Sequence, residues 1–164
     1  ALLEKCEAIR HVDSIQPEFS LLRRNTGPAE IAWADEHETG VIVYSPMGSG
    51  LLTDGFSSER IERMAEGDWR RRSPRFQEPE LSRILDLRDA LGPVASRHDA
   101  TIADVAVAWT LAWPGVTGAI VGARSAEQVD GWIGAASLEL TDADLEEIAS
   151  AVERSGAGEG PRRS

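Results

Sequence analysis

The sequence predicts an α/β fold in which short parallel strands alternate with helices. Three observations carry this reading. The run Val41-Ile42-Val43-Tyr44 is β-branched and aromatic, as suits a strand buried on both faces of a parallel sheet. Two more short apolar stretches, at 12–19 and 116–121, read as further strands. Helical patterns with recognisable start signals separate them, and such alternation implies parallel βα units.

The elements follow in order. Leu2, Leu3, Cys6 and Ile9 recur at helical spacing and predict an opening helix to about Arg10. It has no capping residue and no initiator Met before it, so the chain is expected to be a piece of a longer protein. Ser14-Ile15-Gln16-Pro17 forms the centre of the first strand, and Pro17 limits its ladder. Pro28 and Glu30 start a helix through about Glu38, with Gly40 as its expected C-cap. The strand at 41–44 comes next. Residues 54–79 form a long polar segment that includes Asp68-Trp69-Arg70-Arg71-Arg72. A loop of that length is usually functional or mobile, although each arginine singly fits a solvated position.

Leu81, Ile84, Leu85, Leu91, Val94 and Ala95 describe an amphipathic helix to about Arg97, which Pro93 can kink. Thr101 and Asp104 resemble a capping box and open a buried helix over 102–113. After the strand at 116–121, Ser125 and Gln128 suggest a second box and a helix to about Ala136. Thr141 and Asp144 mark a last helix to about Val152. Residues 155–164 are Gly-rich and polar and are expected to be a disordered tail after a domain over 1–154. His11, His37 and His98 are expected at the surface.

Composition narrows the function classes. With 164 residues the chain can bury a sizeable core. Apolar residues at 41% and charged residues at 27% are those of a soluble globular protein. A net charge of −11 argues against nucleic acid or an anionic membrane as partner. No apolar run is long enough to span a bilayer. The single cysteine, Cys6, excludes an internal disulfide and fits a cytoplasmic location. No cluster suggests a metal site.

Two stretches could carry chemistry. After the strand at 41–44, Ser45, Pro46, Met47, Gly48, Ser49 and Gly50 form a loop of mostly small residues, followed by Leu51. Such a loop lets backbone N–H groups approach an anion, and Tyr44 can lay its ring against a planar group. An ordinary Gly/Pro turn fits the same residues equally well. The second stretch is Gly122-Ala123-Arg124-Ser125 with Gln128, where a strand ends and a helix begins. A helix N-terminus and a guanidinium together suit a phosphate monoester. Simple helix capping with a solvated Arg124 fits too. Both stretches follow strand ends and so share the C-terminal face of a parallel sheet. A (β/α)8 barrel builds its phosphate site after its last two strands, and these are the last two strands here. Three strands do not complete such a barrel. The fold class expected is therefore the C-terminal portion of a (β/α)8 TIM barrel, about three parallel strands with flanking helices.

The stretches Ser14 to Leu22, Tyr44 to Leu52 and Ile120 to Gln128 together resemble the C-terminal half of the aldo/keto reductases. That resemblance implies an NADP(H)-dependent oxidoreductase that reduces aldehydes or ketones, with a small-molecule carbonyl substrate. It implies that Gln16 bonds the nicotinamide carboxamide and that Tyr44 stacks on the nicotinamide ring. Ser45, Pro46, Met47, Gly48, Ser49 and Leu51 would line the pyrophosphate. Gly122, Ala123, Arg124 and Ser125 would hold the adenosine 2′-phosphate, with Gln128 near the adenine. Where the family often has Asn, four positions after that Gln, Trp132 stands here, so the resemblance implies no hydrogen bond to adenine at this position but a ring that could pack against the base.

The family draws its catalytic Asp, Tyr, Lys and His from the first half of the barrel. The only tyrosine here, Tyr44, is already assigned to stacking, and Lys5 is the only lysine. No catalytic residue is therefore expected in this chain, which should be inactive without the missing N-terminal half of the barrel. The alternative is a non-catalytic cofactor-binding or interaction module derived from such an enzyme. The substrate, and the roles of Arg70, Arg71 and Arg72, do not follow from the sequence.

Overall fold

A computed structural model describes residues 2–163. Ala1 and Ser164, the ends of the expected domain and tail, lie outside the described residues. The opening helix α1 spans Leu2–Glu7, shorter than its spacing suggests. Strand β1 is only Ser14–Ile15. Beyond it, pairing resumes across Pro17: Tyr44 N–H donates to the Pro17 carbonyl, and Phe19 N–H donates to that of Tyr44. Pro17 has no N–H to give and interrupts the ladder at this point.

The next helix enters through a π turn at Gly27–Ile31 and continues as α2, Ala32–Glu36. Its exit differs from the expectation. Glu38, not Gly40, takes the left-handed conformation with φ 55°, while Gly40 begins strand β2, Gly40–Tyr44. Thr39 N–H reaches back to the Ala34 carbonyl and closes the turn two residues early. His37 stacks on Trp33 with ring centroids 4.1 Å apart.

Three strands make one parallel sheet in the order β1-β2-β3, where β3 is Gly118–Ile120. Ile15 pairs with Val41, and Val43 and Tyr44 pair with Ala119 and Ile120. The sheet is not covered on both faces as the apolar run suggested. Val41 and Val43 are fully buried against the helices, while Ile42, Tyr44 and Ile120 are 38%, 41% and 44% exposed. Strand side chains alternate between faces, so these three share the uncovered one. In a closed barrel that face points to the interior.

The long polar segment is more structured than expected. It holds a short helix α3, Ser58–Glu62, and 3-10 turns at Trp69–Arg72 and Pro74–Phe76. Phe76 is buried and meets both Phe56 and Trp69 edge-on. Arg75 pairs with Glu18 at 2.9 Å and ties the segment to the loop after β1. The amphipathic stretch breaks at Leu91 into α4, Glu80–Ala90, and α5, Gly92–Arg97, with Pro93 in the first turn of the second. Helix α6, Ile102–Leu111, is buried from Ala103 to Thr110 and starts at the expected Thr101/Asp104 capping box.

The Ser125/Gln128 box does not form. Ser125 precedes a short α7, Ala126–Asp130, without a side-chain cap bond, and a separate 3-10 turn covers Ile133–Ala136. The last helix α8 runs Asp142–Ser155 from the expected Thr141/Asp144 box. His98, expected at the surface, instead places Nε2 2.8 Å from the buried Asp144 carboxylate.

Residues 157–161 are not the loose tail their composition suggests. Ala157 is 1% exposed. Arg24, itself buried, donates to the carbonyls of Leu21, Ala157, Gly160 and Pro161. Arg24 N–H donates to the Glu159 carbonyl and Glu159 N–H to that of Leu22, so the segment runs as a strap along residues 22–24. A buried guanidinium with backbone acceptors on several sides outweighs the polarity of the local sequence.

Candidate ligand-binding cleft

The two stretches singled out in the sequence meet in one cleft of about 770 Å³. That is the size range of a site for a drug-sized ligand or cofactor. Parallel pairing of β2 with β3 brings the stretches side by side, because both begin where their strands end. Tyr44, Ser45, Pro46, Met47 and Ser49 line it from the first, and Gly122, Ala123, Arg124 and Gln128 from the second. Tyr44 is exposed on the uncovered face of the sheet and so presents its ring at the cleft's edge.

Four expected residues do not line it. Gln16 is exposed just beyond β1. Gly48 is buried against Leu22, and Leu51 is fully buried in the core below the loop. Ser125 is exposed, on the far side of Arg124 in sequence from Gly122.

The first loop also differs from the expected backbone cradle. It coils into a turn whose N–H groups at Gly48, Gly50, Leu51 and Leu52 donate to its own carbonyls at Ser45, Met47 and Gly48. Ser45 and Ser49 take left-handed φ of 58° and 61°, an uncommon state for serine. Strained backbone of this kind clusters at ligand sites.

Positive charge in the cleft is carried by side chains. Arg60, Arg70 and Arg124 all line it, in a chain whose net charge is −11. Arg60 donates to the Gly55 carbonyl. Arg70 forms a forked pair with Asp68 at 3.0 and 2.5 Å, and its backbone N–H donates to the same carboxylate. These bonds hold the Asp68 carboxyl down at about 2, and Arg124 adds to this through space. Asp68 therefore stays charged, and Arg70 is fixed in place before any ligand arrives. Arg71 and Arg72, its neighbours in sequence, are exposed and do not line the cleft.

Sequence reasoning missed Thr53, Asp54, Arg60 and Thr101 and left Arg70 unassigned. The Asp54 carboxylate accepts from Ile102 N–H at the start of α6, which brings distant segments together. No local pattern announces such a contact. Thr101 Oγ1 donates to the Gly131 carbonyl at 2.8 Å and fixes the turn that carries Trp132. Among the described residues no group of three His, Cys, Asp or Glu side chains is placed to hold a metal ion. No helix among them is long and apolar enough to cross a membrane.

Residues 1–153 match the model of the aldo/keto reductase family. The chain belongs to that family. It is 30% identical over 156 residues to an aldo-keto reductase of Strobilurus tenacellus, covering 93% of this chain and 46% of that protein. It is 27% identical over 154 residues to an NADP(+) aldo-keto reductase of Schizosaccharomyces pombe, covering 92% and 45%. An NADH-specific methylglyoxal reductase of Escherichia coli is 30% identical over 146 residues, covering 87% and 44%. Among solved structures, the glycerol dehydrogenase of Gluconobacter oxydans matches with a TM-score of 0.84 at 25% identity, over 94% of this chain and 46% of that one. The aldo/keto reductase chain thus spans about half the length of the relatives it matches, and its fold is part of their α/β barrel.

Proposed function

We propose that this chain is the cofactor-binding half of an NADP(H)-dependent aldo/keto reductase whose whole barrel reduces aldehydes or ketones. The observation that carries the reading is the meeting of Tyr44 and the 45–49 loop with Arg124 in one cleft. The residues fit a dinucleotide phosphate: an exposed aromatic ring, serine hydroxyls and three guanidinium groups share a cavity of suitable volume. Bound there, the cofactor would supply hydride to a carbonyl carbon. Tyr44 would stack on the nicotinamide and fix which ring face meets the substrate. Ser45, Pro46, Met47 and Ser49 would flank the pyrophosphate. Gly122, Ala123 and Arg124 would hold the 2′-phosphate, with Gln128 behind them. Gln16, Gly48, Leu51 and Ser125 would act at the edge of this site or in shaping its loops.

The preference for NADP(H) over NAD(H) rests on Arg124, since relatives of similar identity carry either cofactor in their names. The half-barrel reading rests on the uncovered face of Ile42, Tyr44 and Ile120, which the N-terminal half would close. The residues over 1–154 then form one unit with that half. A cytoplasmic location rests on cysteine usage alone.

The second reading is a non-catalytic module, and on both readings this chain carries no proton donor. The chain's only tyrosine, Tyr44, is taken by the stacking role, so no phenol is left to donate a proton to the carbonyl oxygen. Turnover separates the two. The full-length protein should reduce small aldehydes with NADPH, and the 164-residue chain should not exceed a buffer blank. A full-length protein that binds NADPH but turns over no carbonyl would favour the module. Robust reduction by this chain alone would overturn the assignment of its residues.

A further inference from the structure

Part of the cleft wall is formed by the turn that follows α7. Trp132 lines the cleft and is half-buried. Its backbone is fixed at both ends: Trp132 N–H donates to the Val129 carbonyl, and its own carbonyl accepts from Ala135 N–H. The preceding residue, Gly131, is pinned to Thr101. The indole Nε1 is sealed from solvent and has no hydrogen-bond partner among the described residues. What Trp132 offers the cleft is therefore the carbon framework of its ring and not its N–H.

The carboxamide oxygen on this side of the cleft is already engaged. Gln128 is the only carboxamide among the described residues lining the cleft, and its Oε1 accepts from Arg124 N–H at 2.8 Å. That oxygen is turned toward the backbone and so is less available to the amino hydrogens of a base. Arg124 offers donors only.

We infer that the base of the dinucleotide is held at this wall by stacking on Trp132 and not by reading of its hydrogen-bonding edge, so the site tolerates purines other than adenine. This rests on the cofactor reading above. Every base has a π face, and stacking on an aromatic side chain discriminates little between bases. Replacing the amino group of adenine by the oxo group of hypoxanthine reverses the edge pattern but keeps the face.

The test uses the full-length protein, with NADPH and its hypoxanthine analogue, reduced nicotinamide hypoxanthine dinucleotide phosphate, titrated by calorimetry. The two should bind within about threefold of each other, a difference well under the tenfold step that 1.4 kcal/mol represents. Trp132→Ala should weaken both alike, by about 5- to 150-fold. Trp132→Phe, which keeps a ring and guards against a folding defect in the alanine variant, should retain most of the affinity. Binding of the analogue more than about tenfold weaker than NADPH would overturn the stacking platform and leave the cofactor reading standing. So would an unchanged affinity in Trp132→Ala. Failure of the wild-type protein to bind NADPH at all would overturn both.

Discussion

The carboxamide oxygen of Gln128 accepts a hydrogen bond from the backbone N–H of Arg124 at 2.8 Å. One turn of α7 thus reaches back over the end of β3 and fixes the residue that carries charge at this side of the cleft. Gln128 holds the Arg124 backbone, and among the described residues no carboxylate is bonded directly to the guanidinium.

Cofactor choice should follow from that guanidinium. A hydrogen bond to a charged group contributes about 1.5–3 kcal/mol, equivalent to about 10- to 150-fold in affinity. Arg124→Ala in the full-length protein should weaken NADPH binding by about that factor and leave NADH nearly unchanged. Equal losses for both cofactors, measured by calorimetry, would show that Arg124 does not contact the 2′-phosphate.

Acid stability should depend on Asp144. Its carboxylate is 2% exposed, and burial alone would push its pKa up. Bonds from Thr141 N–H and Oγ1, from His98 and from the Arg97 guanidinium outweigh this and hold it below the usual carboxylate range. A carboxyl whose pKa is depressed on folding stabilises the fold fully above its unfolded value near 3.9, and that contribution is lost as pH falls below it. Asp144→Ala should cost about 1–2 kcal/mol near neutrality, from the lost helix cap. Asp144→Asn should show a shallower fall in denaturation midpoint from pH 5 to pH 2 than the wild type. Parallel curves for the two proteins would remove Asp144 from the account.

The strap should be sensitive at Gly158. This residue has φ +68°, and an added Cβ would lie 2.7 Å from the Leu22 backbone. Leu22 in turn touches the position a Cβ would take at Gly48, so the strap backs the loop that lines the cleft. Gly158→Ala should lower stability by more than the about 1–3 kcal/mol that a positive φ alone costs, whereas Gly50→Ala, which meets nothing within 4 Å, should bear only that cost. Thermal melting of the two variants checks the difference, and equal melting points would show that the strap is not closely packed.

The parts of this fold that a sequence reveals are those with local causes. Thr101 with Asp104 and Thr141 with Asp144 announce α6 and α8 because capping acts within four residues. The chain from Tyr44 to Ser49 reveals its part in the cleft because a strand end followed by small residues is itself the geometry required. The remainder has long-range causes. A continuous apolar run does not say which face is covered, so Ile42 and Val43 look alike in sequence but are exposed and buried respectively. Arg24 reads as a loop arginine until residues 157–161 fold over it. Thr101 joins the cleft only because helix α6 starts against the turn at Gly131.

On the half-barrel reading, the other half of the barrel covers Ile42, Tyr44 and Ile120. Three exposed side chains on one sheet face, with strand edges beside them, favour self-association. The molar mass of the purified 164-residue chain in solution, measured by light scattering, tests this most directly. The expected result is species well above the 17.7 kDa of one chain, whether oligomers or aggregates. A stable monomer of 17.7 kDa would contradict it and show that the chain is an autonomous domain.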